Sequence, residues 1–184
     1  MPSLKQIGIG AAAVFIAASL ITKPAVSAVT HHHHKAPPPA VQVAGISGTP
    51  AQVAMVERAI SFARDQLRKP YVYGAYGPDS FDCSGLVMEA YLHAGLAGIP
   101  RTSEQQWTWG PQVTRGPPQP GDLVFFTGSP IDAPPGHVGL VIGPHLMIEA
   151  YATGFPIRVS PFGTPQSAPG DQVVTGVTRP VDRT

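Results

Sequence analysis

One cysteine, Cys83, occurs in the 184 residues, inside the stretch FDCSGLV from Phe81 to Val87. The chemistry open to such a thiol is nucleophilic attack on an acyl carbon. That requires a base, at neutral pH most often a histidine, which is oriented in turn by a third polar group. Three histidines lie in the region able to fold: His93, His137 and His145. His93 follows Cys83 by ten residues on the same expected helix, about 15 Å along its axis, which puts direct contact out of reach. His145 falls in IGPHLM, between two apolar runs, where a turn is expected. His137 opens HVGLVIG, in which Val138, Leu140 and Ile142 alternate with His137, Gly139 and Val141 in the pattern of a half-buried strand.

The next run, LMIEAY, carries Glu149 between Ile148 and Ala150. The short connection between the runs predicts an antiparallel hairpin. In registers where odd residues oppose odd ones, His137 and Glu149 share a face and become near neighbours, although register itself is not readable from the sequence. A carboxylate on one imidazole nitrogen would fix the tautomer and leave the other nitrogen for the thiol. The plainer alternative for Glu149 is the solvated face of an edge strand.

Beyond the thiol, Leu86, Val87, Ala90 and Tyr91 form a helical stripe and Gly95 supplies a stop, so Cys83 falls in the first turn of a helix. Unpaired amides and the positive end of the helix dipole favour a thiolate there, and the same amides can receive an oxyanion. Free cysteine is also among the most buried residue types, so position alone leaves a packing role open. Asp82 and Ser84 flank the thiol and are suited to cap or brace the helix start. Before them, KPYVYGAYGPDSFD is a shaped loop. Further upstream, Thr49 can cap and Pro50 can open a helix whose stripe is Val53, Val56, Ile60, Ala63 and Leu67.

The ends have a different composition. Residues 1–28 carry one early lysine, an apolar run of about 15 residues and the small-residue site Val26-Ser27-Ala28; the run is short for a membrane span, and an export signal is expected. No cysteine stands near that site, so no lipid anchor is expected. Residues 29–49, with four histidines and three consecutive prolines, read as a disordered linker in which His31 to His34 lack the companions and geometry of a metal site. The catalytic region then spans 50–163, followed by a C-terminal extension, 164–184, with one possible strand over Val173 to Val177 and a frayed tail. Loss of the leader removes Lys5 and Lys23 and no acidic residue, shifting the formal charge from +1 to −1, and nothing in that balance favours nucleic acid. An exported chain with one cysteine cannot form an internal disulfide, so the free thiol invites an explanation.

Three segments carry a family resemblance: FDCSGLV, then QPGDLVFF at Gln119 to Phe126, then GHVGLVIG at Gly136 to Gly143. In this order and spacing the chain resembles the NlpC-type family of papain-like bacterial cell-wall endopeptidases, and PYVYG at Pro70 to Gly74 and IPRTSEQQ at Ile99 to Gln106 extend the match. The resemblance implies an α+β fold with N-terminal helices packed on a central antiparallel sheet, in keeping with helices first and strands later. It implies Cys83 as nucleophile, His137 as base, and Tyr71 joining the Cys83 amide in an oxyanion site. Glu149 then occupies the orienting position where the family often has histidine, as in its mycobacterial and actinobacterial branch. Arg101, Ser103 and Gln106 fall in the family's cleft-side segment and are expected to meet substrate, with a salt bridge inside the domain as the alternative for Arg101.

The implied substrate is a peptidoglycan stem peptide, cut between D-isoglutamate and meso-diaminopimelate. The implied protein is secreted to the cell envelope and acts as a monomer without metal or organic cofactor. Trp107 and Trp109, with no further aromatic platform, are assigned to packing. A non-catalytic wall-binding protein and an acyltransferase on the same fold are the competing readings.

Overall fold

The computed structural model describes residues 43–127, 135–163 and 173–181, all within one unit, Pro37–Thr184. The expected leader, the His31 to His34 tract and the tail lie outside the described residues. Helix α1 (Pro50–Asp65) begins with a capping box: Thr49 accepts from the Gln52 amide, Gln52 reaches back to the Thr49 N–H at 2.7 Å, and Pro50 fills the first turn. It buries Val56, Ala59, Ile60 and Ala63. The expected stripe is shorter than drawn, because the helix stops at the Gln66 cap and Leu67 meets the core from the following loop.

Helix α2 (Cys83–Ala94) starts on Asp82, whose carboxylate accepts from the Gly85 N–H at 2.7 Å, and ends at Gly95 in the left-handed region, φ 95°. It is buried on most of its surface, and its Tyr91 hydroxyl donates to the Gly121 carbonyl. Helix α3 (Ser103–Trp109) is short, and Trp107 sets its ring edge-on to Phe125 at 5.2 Å, a packing role as expected.

Five strands follow: β1 (Leu123–Thr127), β2 (His137–Gly143), β3 (Leu146–Glu149), β4 (Arg158–Pro161) and β5 (Val173–Thr178). They pair antiparallel in the order β4-β3-β2-β1-β5, giving the α+β architecture. Period-two alternation sorts their side chains into two clusters. Leu123, Phe125, Val138, Leu140 and Ile148 join the helices, while Val124, Phe126, Val141, Met147 and Phe162 pack together separately. The β2–β3 connection is Pro144-His145, with His145 at φ 54°, and the strands pair Leu140 with Ile148 and Val141 with Met147. Odd residues therefore oppose odd ones, which is the register His137 and Glu149 need.

Contacts with the core continue beyond both ends of residues 50–163, and the strand expected over Val173 to Val177 is present as β5. Val43 and Ile46 pack against the helix-side core and the Ser47 N–H donates to Gln119, so residues 43–49 are part of the folded body and not of a disordered linker. At the other end β5 completes the sheet beside β1, Thr178 is fully buried, and Arg179 pairs with buried Asp122 at 2.8 Å. The extension thus supplies an edge strand and an ion pair to the same layer.

Candidate active site

The thiol is positioned by local contacts. Between Pro70 and Asp82 the chain doubles back: the Phe81 N–H donates to the Pro70 carbonyl at 3.3 Å, that of Val72 to Phe81 at 3.1 Å, and that of Asp82 to Ala75 at 2.8 Å. Asp82 ties this loop to α2, accepting from the Gly74 amide as well as from Gly85. Arg101 grips both Asp82 oxygens, at 3.0 and 2.6 Å, and also donates to Ser84. The helix start and the loop approach so closely that a Cβ at Gly85 would run into the Ala75 carbonyl. Cys83, the first helical residue, is 9% exposed and opens onto a cleft of about 330 Å³ lined also by Tyr71, Tyr73, Arg101, Glu104 and Gly136.

The imidazole comes from the sheet. His137 is the first residue of β2, and its Nε2 lies 2.8 Å from Glu149 Oε2 on β3. Cys83 lies near enough to raise the proton affinity of the ring, and Nδ1 is the nitrogen that Glu149 leaves over. Burial alone would push the ring down, but the neighbouring Cys83 and Glu149 outweigh it and hold His137 up at about 9, so it carries its proton at neutral pH. Burial alone would likewise push Glu149 up; its bonds to His137, Ser160 and Arg158 win and keep it below the ordinary carboxylate range. The Ser160 hydroxyl donates to Glu149 Oε1 at 2.6 Å and the Arg158 Nε at 3.0 Å, both from β4. Rings of Phe126, 5.6 Å from His137, and Tyr151, edge-on at 5.8 Å, close the site around the imidazole.

Tyr71 borders the same cleft as Cys83. Burial, followed by the neighbouring Cys83 and Asp82, pushes its phenol up, which keeps the O–H available as a donor. Its backbone is fixed on both sides, by a bridge to Phe81 and by an N–H donated to the Phe155 carbonyl.

The residues expected to meet substrate divide. Ser103 lines the cleft while being 5% exposed, and Arg101 lines it while its guanidinium is committed to Asp82 and Ser84. Gln106 does not reach it: the side chain is fully buried and its amide donates to the Ser84 and Pro100 carbonyls at 2.9 Å, bracing α2 from behind. Its assignment as a substrate contact is corrected, because an amide spent on two backbone carbonyls in the interior has no path to a ligand. Arg158 and Ser160 escaped sequence reasoning. They stand two apart on β4, but only the pairing of Glu149 with Arg158 makes that spacing meaningful. The two histidines set aside are indeed elsewhere: His93 stacks on Phe62 at 4.1 Å, and His145 occupies the β2–β3 turn.

Known proteins resemble the chain in sequence and in fold. A probable endopeptidase of Mycobacterium tuberculosis is 38% identical over 110 residues, 60% of this chain and 26% of the relative. A probable endopeptidase p60 of Listeria grayi is 41% identical over 96 residues, 52% of this chain and 18% of the relative. The chain thus spans about a quarter or less of the length of these relatives. Among solved structures, the peptidoglycan hydrolase RipB from Mycobacterium tuberculosis superposes with a TM-score of 0.57 at 30% identity, covering 71% of this chain and 67% of that one. The model of the NlpC/P60 family matches residues 68–174, from the turn that leads into Tyr71 to the first residues of β5, and so takes in Cys83, His137 and Glu149 together. On that match, the chain belongs to the NlpC/P60 family.

Proposed function

We propose that the chain is a cysteine endopeptidase that hydrolyses peptidoglycan stem peptides at the amide between D-isoglutamate and meso-diaminopimelate, after export to the cell envelope. One observation carries the chemistry: a thiol at a helix start, open to a cleft and close enough to raise the proton affinity of a buried imidazole whose Nε2 is held at 2.8 Å by a buried carboxylate. Kinship with endopeptidases and peptidoglycan hydrolases supports the substrate class, and the apolar N-terminal run supports export.

The steps follow from the charges. With His137 protonated, the Cys83 thiolate has an imidazolium as its counter-charge and attacks the amide carbonyl carbon. The carbonyl oxygen becomes an oxyanion, which the Cys83 backbone N–H and the Tyr71 hydroxyl receive in this reading. The imidazolium then passes its Nδ1 proton to the departing amine, the C–N bond breaks, and a thioester remains on Cys83. In the second half, neutral His137 takes a proton from water, whose oxygen attacks the thioester; the acid leaves and the thiolate–imidazolium pair is restored. Throughout, Glu149 accepts the Nε2 proton bond, which keeps the reacting nitrogen turned to sulfur and offsets the charge on the ring.

Digestion of diaminopimelate-type peptidoglycan, with fragments followed by mass spectrometry, tests the reading. New D-isoglutamyl carboxyl ends and diaminopimelyl amino ends are expected with wild type and none with Cys83→Ala. Binding of the polymer without new termini would instead indicate a wall-binding protein, and amide or ester adducts of an added amine or alcohol would indicate an acyltransferase.

A further inference from the structure

Of the groups around the candidate triad, the one with the least obvious purpose is Arg158. It reaches Glu149 from the strand partner position, with Nε 3.0 Å from Oε1 and Nη2 at the same separation in an ion pair. Its guanidinium is also wedged over two rings of the loop between β3 and β4, 4.9 Å from the centroid of Tyr151 and 5.1 Å from that of Phe155. Those rings stand edge-on to each other, and Tyr151 in turn meets His137. Stacking of this kind holds a cation in place beside the carboxylate. Phe155 belongs to the segment whose carbonyl accepts from the Tyr71 amide, so the wedge also backs the strand of chain that brings Tyr71 to the cleft.

A cation fixed on the far side of Glu149 has a specific electrostatic consequence. Glu149 alone would bind the His137 proton as tightly as a buried ion pair allows, and an acid that will not release its proton is a poor catalyst. A second positive charge on the other carboxylate oxygen shares the glutamate's charge and loosens that hold. The groups facing the imidazole and its partner are Cys83 from α2, Glu149 from β3, Tyr151 after it, and Arg158 and Ser160 from β4. Arg158 is the permanent cation among them.

We propose that Arg158 is a positioning residue for the reaction, fixing Glu149 against His137 while drawing off part of its charge so that the imidazolium can release its proton to the departing amine. The assignment rests on the endopeptidase reading for its consequence in turnover, but not for its physical content. A plain structural clamp would hold β3 to β4 and leave the ring's proton affinity where it is.

The test is therefore a titration of the His137 ring by NMR in the full folded domain, its signal assigned by its loss in His137→Asn, for wild type, Arg158→Gln and Arg158→Lys. Arg158→Gln keeps a donor for Glu149 and removes the charge. Its His137 midpoint should rise above the wild-type value of about 9 by about one pH unit, while Arg158→Lys stays near wild type. If Arg158→Gln does not fold, Arg158→Met must show the same rise. An unchanged or lower midpoint in the neutral variants, or a Lys variant that moves as far as Gln, overturns the proposal. On peptidoglycan fragments the neutral variants should lose about tenfold in kcat with little change in KM, and the alkaline limb of the rate should follow the NMR midpoint upward. An inactive wild type would refute the endopeptidase reading while the titration still decides the role of Arg158.

Discussion

The two halves of the candidate site are held by different kinds of contact. On the thiol side, Tyr71, Asp82, Cys83, Ser84 and Arg101 lie within about thirty residues and are joined by caps, turns and one bidentate ion pair. On the base side, His137, Glu149, Arg158 and Ser160 come from three strands and meet only because the sheet pairs in one register. The thiol side is thus a local structure that places Cys83 at the cleft. The base side is a non-local one whose product is a charge state, a buried imidazole lifted to about 9 between a thiol and a carboxylate. Damage to the first should appear mainly as lost stability and misplaced atoms, and damage to the second mainly as lost turnover and altered pH dependence.

The sharpest way to break that contrast is Glu149→Gln. It keeps the shape and removes the charge, and it should lower kcat about a thousandfold or more with the fold retained, measured on a stem-peptide fragment. Its effect on stability has a definite sign. The folded value of His137, about 9, lies above its ordinary 6.5, so the stabilisation of about 3 kcal/mol is whole below pH 6.5 and is lost as pH rises through 9. Glu149 is held below its ordinary 4.5, so its contribution is present above that value and is lost as pH falls through the lowered one. Denaturant midpoints of wild type should therefore peak near pH 5 to 6.5 and decline on both sides, and Glu149→Gln should flatten much of that curve. Equal turnover in the two proteins would remove Glu149 from the mechanism.

A substitution on the other side should give the reverse picture. Asp82→Ala removes the α2 cap and the Gly74 contact and leaves Arg101 without its carboxylate, at a cost of about 3 kcal/mol in unfolding free energy. The His137 midpoint should hardly move, because the Asp82 carboxylate is bonded to Gly74, Ser84 and Gly85 and its charge is paired with Arg101. A melt unchanged by this variant would show that the local lattice does not position the thiol. Tyr71→Phe is the finer probe. It keeps the ring and deletes one oxyanion donor, so kcat should fall by about a hundredfold while stability stays within about 1 kcal/mol. A loss confined to KM would mean that Tyr71 binds substrate and does not stabilise the oxyanion.

Legibility in the sequence follows the same division. The capping of α1 by Thr49, the start of α2 at Cys83 and the stop at Gly95 are written in adjacent residues, and so could be read directly. The β2–β3 hairpin was legible as two alternating runs with a short join, and the His137–Glu149 pair as one of its possible registers. What settles the register is long-range: β1 beside β2, β4 beside β3 and the helix-side cluster of Val138, Leu140 and Ile148. For that reason Arg158 and Ser160 carried no signal. Gln106 misled in the opposite way, since a polar residue beside a cleft-lining serine gives no hint that its amide turns inward to the Ser84 carbonyl. The domain edges were drawn from composition, which does not register that Ile46 packs on the core or that β5 pairs with β1.

The central claim is that Cys83 and His137 act as one nucleophile that forms a thioester, and the lone cysteine makes this directly observable. Rapid quenching of wild type in acid during turnover of a stem-peptide fragment, followed by mass spectrometry of the peptide holding Cys83, should reveal an added mass equal to the acyl half of the substrate. That adduct should appear before free product accumulates, decay as turnover ends, and be absent in His137→Asn. Turnover at the wild-type rate with Cys83 unmodified throughout, or undiminished in Cys83→Ala, would contradict the account.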